Sequence, residues 1–143
     1  MKPLSAGRSA PLIAAVGFFA LVAQTLLFRS FLQVFEGSEL AVGAFFATWF
    51  VWIAAGALAA RRTPRFAAHF PWLTLLYIPA FILEHYLIQN ARGLAGVAAY
   101  ELFPYKTLVL GSLLTNAPVS FLTGGLFTLA CLWWEQEQHA PLP

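Results

Sequence analysis

The chain has 143 residues, 60% of them hydrophobic and 10% charged, with a mean hydropathy of +0.74 and a formal net charge of +2. Soluble domains carry about 25% charged residues, so this chain lacks the polar surface to cover a core in water, and lipid is its expected solvent. Its basic residues stand at segment ends, which argues against a nucleic-acid partner, and the single Cys131 excludes an internal disulfide or a four-cysteine metal site.

Four segments are long and apolar enough to span, at roughly 20 residues per crossing. They run from about Pro11 to Val34, Glu39 to Ala60, Phe70 to Gln89 and Leu108 to Trp134. None alternates polar and apolar residues as barrel strands do, so helices are expected. The predicted fold is an all-α integral membrane protein, a single four-helix domain over residues 1–143. Lys2 and Arg8 before the first run resemble a signal n-region, but the run is long and lacks a clear A-x-A-like site. A retained helix is expected.

Loop charge sets the predicted orientation. Lys2 and Arg8 precede helix one, and Arg61, Arg62 and Arg65 lie between helices two and three. The turn "EGSE" has no Lys or Arg, and the third loop has only Arg92 and Lys106. The positive-inside rule then places both termini in the cytoplasm. Trp72, Trp133 and Trp134 fall where interfacial aromatics belong, whereas Trp49 and Trp52 lie inside helix two and read as packing. The long outward loop, Asn90 to Thr107, is expected to hold a short interfacial helix ended by Pro104, anchored by Tyr100, Phe103 and Tyr105.

The stretch "LLFRSFLQVFEGSEL" places Arg29, Glu36 and Glu39 at the first hairpin. Arg29 can snorkel to the interface. Glu39, behind a Ser38 N-cap, suits a helix N-terminus. Alternatively Arg29 pairs with Glu39 and fixes helix register.

In helix three, "FILEHYLIQN" carries Glu84 and His85. Intramembrane ionisable residues are functional candidates by default. Glu84 shares a face with Tyr77, seven residues earlier, while His85 points about 100° away toward Gln89 and Arg92, so the adjacent pair does not chelate as a unit. A proton relay, a polar ligand contact or helix packing each fits. Haem ligation fits poorly, because His69, His85 and His139 share no depth.

Helix four carries a polar stripe, Ser112, Asn116, Ser120 and Thr123, ending beside Gly124 and Gly125, with Pro118 inside it. Close helix packing or a polar cavity would each use such a stripe, and Gln24 in helix one is a possible partner for Asn116. Gly43 with Ala47 and Gly56 with Ala60 are small-xxx-small pairs in helix two. No catalytic motif appears, and the chain has no Asp, no P-loop and no H-E-x-x-H.

The hairpin resembles the first two transmembrane helices of spermidine-synthase-like fused membrane proteins through Gln24, Arg29, Phe35, Gly37, Glu39, Leu40 and Trp49. The run "APVSFLTGGLFTLAC" is similar to that family's fourth helix through Pro118, Phe121, Leu122, Gly124 and Phe127. Ser38 and Ser30 depart from its pattern, standing where an Asn and often an acid would be. The resemblance implies the membrane region only, since the family's soluble aminopropyltransferase-like domain needs well over ~100 further residues.

The leading expectation is a non-catalytic, multi-pass subunit of the inner membrane. It binds no cofactor or metal, and scaffolds a larger complex by lateral packing with lipids, other membrane chains or copies of itself. The alternatives are an oligomeric small-molecule transporter or channel module and a quinone- or haem-associated electron-transfer subunit. The residues at stake are Arg29 and Glu39 as a hairpin pair, and Gln24, Glu84, His85, Asn116 and Ser120 as an intramembrane polar site.

Overall fold

A computed structural model describes residues 6–35, 37–98 and 101–138. Lys2, Glu36, Tyr100 and His139 lie outside the described residues, as does the side chain of Arg8. The described chain is all helical, and four of its helical segments are long and apolar enough to cross a membrane.

Helix α1 (Ala6–Val34) buries Ala23, Leu27 and Phe31, a stripe with a spacing of four residues that Phe35 continues just past its end. The chain turns through Gly37, whose φ of 57° favours glycine. The Ser38 hydroxyl oxygen then accepts from the Ala41 N–H at 3.2 Å and caps α2 (Glu39–Arg62), as its sequence position predicts. Arg61 and Arg62 fall in the last turn of α2, where cations complement the helix dipole.

The third crossing is longer than the sequence suggests. It begins in a 3-10 turn at Pro64–His69, passes through the short α3 (Phe70–Leu73) and a second 3-10 turn (Thr74–Leu76), and continues as α4 (Tyr77–Ala95). Pro64 and Pro71 have no N–H to give an α-helical ladder, which accounts for the irregular start. The helix does not stop at Gln89, because Asn90 lies on its exposed side and half-buried Arg92 finds carbonyl acceptors at the end of α1 and in the following loop. It stops at Gly96, in the left-handed region at φ 66°, where the Val97 N–H bonds the Arg92 carbonyl.

The connection between α4 and the next helix is therefore shorter than expected, and Pro104 opens a helix rather than ending one. Helix α5 (Tyr105–Thr115) follows it directly, and α6 (Ala117–Gln138) continues after a break at Asn116. The single fourth helix read from the sequence is two helices. Pro118 lacks the N–H that would bond the Leu114 carbonyl, so an unbroken ladder cannot run through this point.

Helix α6 is the most enclosed of the four spans and α1 the least. Helix α2 lies closest to α6, while α1 leans chiefly on α4 rather than along α2. Glycine sets the α2–α6 approach. A Cβ on Gly56 would fall on the Phe121 carbonyl oxygen, and a Cβ on Gly124 on the Ile53 carbonyl oxygen. Of the two small-residue pairs in α2, Gly56 and Ala60 face this contact, whereas Gly43 has open space around it and Ala47 is exposed. At one end of the bundle Ala10, Ile13 and Ala14 share a groove with Cys131, Trp134 and Glu135, so the described start and end of the chain lie together. Trp133 is buried there against Phe70 at 5.3 Å rather than lying at a surface, while Trp72 is exposed.

At the opposite end Arg92 acts as a clamp. Its Nε donates to the Val34 carbonyl at 3.0 Å, and its Nη1 donates to the Ala98 and Glu101 carbonyls at 2.8 and 3.3 Å. The guanidinium also lies 5.0 Å from the Phe103 ring centroid, and Phe103 packs on Phe35 at 4.5 Å. One side chain thus ties α1, α4 and the loop after α4 together. Arg92→Met keeps much of the stem and removes the donors, at an expected cost of ~2 kcal/mol. Faster hydrogen exchange over residues 96–104, with α2 and α6 unaffected, would be the signature; unchanged exchange in the loop would contradict the clamp.

Candidate functional site

The polar residues that the sequence singles out divide into two groups. Arg29 and Glu39 are both exposed, and no hydrogen bond or ion pair joins them. Helix geometry supplies the reason. Arg29 is two residues from both Leu27 and Phe31, about 200° around the helix from that buried stripe, so it faces away from the bundle. The register of the hairpin is carried instead by aromatic packing, with Phe28 and Phe31 on Phe45 at 4.9 and 5.1 Å.

The second group converges on the α5–α6 break. Glu84, Ser112, Asn116 and Ser120 are fully buried. The Asn116 amide nitrogen donates to the Phe45 carbonyl at 3.1 Å and to the Thr48 hydroxyl oxygen at 2.9 Å. Thr48 in turn donates to the Ala44 carbonyl at 2.8 Å. Since the Thr48 proton is used there, its oxygen must accept, which fixes the Asn116 nitrogen on α2 and turns Oδ1 the other way. From α4, Glu84 Oε2 accepts from the Val119 N–H at 2.9 Å. Val119 is the third residue of α6, and its N–H is one of the donors that a helix start leaves without an internal partner. Glu84 is a cap supplied from another helix. Trp52 completes the break, its indole N–H donating to the Leu113 carbonyl at 2.7 Å.

Two neighbouring helices therefore hold the interruption, α4 through Glu84 and α2 through Trp52 and the Thr48–Asn116 bond. Glu84 and Asn116 stand out in the sequence. Thr48 and Trp52 do not, although they share one face of α2 with Phe45, Gly56 and Ala60 at spacings of three and four. Tyr77 shares the buried face of α4 with Glu84 as expected, and its hydroxyl donates to Thr123 at 3.1 Å. Ser112 and Thr123 also bond back to carbonyls four residues earlier.

Several polar atoms at this level are left over. Among the described residues, Glu84 Oε1, Asn116 Oδ1, Ser120 Oγ and Gln24 Nε2 are buried without a hydrogen-bond partner. Gln24 is thus not the partner of Asn116. It is nevertheless close in depth: Phe19 meets Tyr77, so the α1 residue level with Glu84 is seven further on, within one turn of Gln24. Thr48 is nine residues into α2, about 14 Å along the axis. That is about half of a ~30 Å hydrocarbon core.

No family model, curated protein or solved structure matches the chain.

His85 sits one residue from Glu84 yet is exposed, its ring stacked on Phe81 at 6.3 Å. It belongs to an exposed line on α4 with Ile78, Ile82 and Gln89, spaced four, three and four apart. His69 is exposed 16 residues earlier, at the far end of the crossing. The described residues contain no cluster of three or more His, Cys, Asp or Glu that could hold a metal.

Proposed function

We propose that the chain is a multi-pass subunit of the inner membrane that assembles laterally with another membrane-embedded chain, and that α4 is its principal contact face. The observation that carries this is exposed His85 at mid-span. Groups of this polarity are costly in hydrocarbon and rarely face lipid. A covering helix relieves that cost and gives Gln89, exposed one turn away, a hydrogen-bonding surface. The role is structural rather than catalytic. The basic loop at Arg61, Arg62 and Arg65 supports a cytoplasmic placement of both termini. The hairpin's resemblance to the membrane region of spermidine-synthase-like fused proteins supports kinship with that region alone.

The test compares His85→Leu with the native chain by native mass measurement after mild extraction. Interhelical hydrogen bonds in membranes are worth ~0.6 to ~1.7 kcal/mol, so association should weaken about three- to twentyfold. A histidine facing lipid predicts the opposite: unchanged mass and a more stable chain.

A further inference from the structure

The lateral face does not use the polar atoms at the helix break. Glu84 Oε1, Asn116 Oδ1 and Ser120 Oγ are fully buried, yet none bonds another protein group among the described residues. They belong to one small region. Asn116 directly precedes α6 with an αR backbone, so Ser120 follows it by about one helical turn. The other oxygen of the Glu84 carboxyl is bonded to Val119, the residue immediately before Ser120.

The groups that carry these atoms are otherwise engaged or, for Ser120, turned away from the usual back-bond. The Asn116 nitrogen is engaged by α2, so Oδ1 cannot be exchanged for a donor by flipping the amide. The Glu84 carboxyl is held by the α6 N-terminus through Oε2. Ser120 does not bond back to its own helix, unlike Ser112, Thr123 and Thr128. A buried polar atom left unsatisfied is costly, and three of them at one place call for a ligand.

We propose that these three oxygens form a binding site for a small monovalent alkali cation, sodium in particular, at the α5–α6 break. Carboxylate, amide and hydroxyl oxygens are hard donors, and the site has neither the imidazole nor the thiolate that transition metals favour. One carboxylate matches one positive charge, and no Lys or Arg among the described residues forms an ion pair with Glu84. Interrupted helices are a recurring way to bring such oxygens to mid-membrane depth. The cation would bridge α4 and the broken helix, and its binding does not depend on lateral assembly.

The experiment measures the thermal unfolding midpoint of the full chain, with whatever chains and lipids accompany it, in sodium, potassium or choline chloride at matched ionic strength. Binding at about ten times the dissociation constant should raise the midpoint by ~4 °C or more in sodium over choline. Ser120→Ala is the deciding variant. Its hydroxyl makes no bond among the described residues, so its loss should be harmless, or mildly stabilising, in choline. In sodium it should remove most of the specific rise, and Glu84→Gln should abolish it. Equal midpoints in sodium and choline for the native chain would overturn the proposal, as a bound water or a salt-blind carboxylic acid would give that result. A Ser120→Ala chain that keeps the whole sodium shift would also overturn it. If Glu84→Gln fails to fold, Ser120→Ala still decides.

Discussion

Gly124→Ala is expected to destabilise the bundle by about 3 kcal/mol or more, although it adds one methyl group. The new Cβ would fall on the Ile53 carbonyl oxygen, a backbone atom of α2 that cannot rotate aside as a side chain would. Relief requires α2 and α6 to separate. Overpacked cores typically lose 1–3 kcal/mol when side chains can adjust, and here the obstacle is rigid. In lipid the loss is amplified in kind, because association between membrane helices depends on close van der Waals contact rather than on water release. Gly56→Ala should behave similarly, since its Cβ meets the Phe121 carbonyl oxygen. Gly43→Ala is the control: nothing lies within 4 Å of that position, and a change within ~0.5 kcal/mol is expected. Unfolding midpoints of the three variants in one detergent make the comparison. If Gly124→Ala matches Gly43→Ala, the α2–α6 seam is not the tight joint described.

The second large effect belongs to Glu84. Glu84→Leu removes the acceptor for the Val119 N–H at 2.9 Å and leaves that donor unsatisfied in a closed interior, an expected loss of ~2 to ~3 kcal/mol. Glu84→Gln keeps a carbonyl oxygen in reach of Val119 and should cost ~1 kcal/mol or less in the absence of sodium. The ordering of the two variants carries the argument. Amide exchange at Val119 should accelerate in the leucine variant and stay slow in the glutamine variant. Equal losses would mean that the side chain matters for its shape alone and does not cap α6.

The helical class and the four helices long enough to cross a membrane were legible from composition and from the length of the apolar runs, because lipid leaves the backbone few alternatives. The Ser38 cap and the polar stripe on the fourth crossing were legible too, since each depends on local spacing. What the sequence hid was tertiary. Pro118 marked a weakness in the helix, but only the approach of Glu84, Asn116 and Trp52 turns it into a break at a defined place. Arg92 reads as one more loop charge until the end of α1 and the loop carbonyls converge on it. Arg29 and Glu39 left a pair open beside snorkelling and capping, because they are close along the chain. The deciding fact was angular: Arg29 points about 200° from the stripe that α1 buries. His85 and Glu84 illustrate the same point, as neighbours in sequence that face opposite environments.

Lateral assembly is the central claim, and the most direct measurement is the native mass of the chain taken from its membrane into lipid nanodiscs without detergent exposure. The account predicts a species heavier than the 15.7 kDa single chain, with fixed stoichiometry, that is diminished by His85→Leu. A monodisperse single chain, with a mass and stability that His85→Leu leaves unchanged or improves, would contradict it.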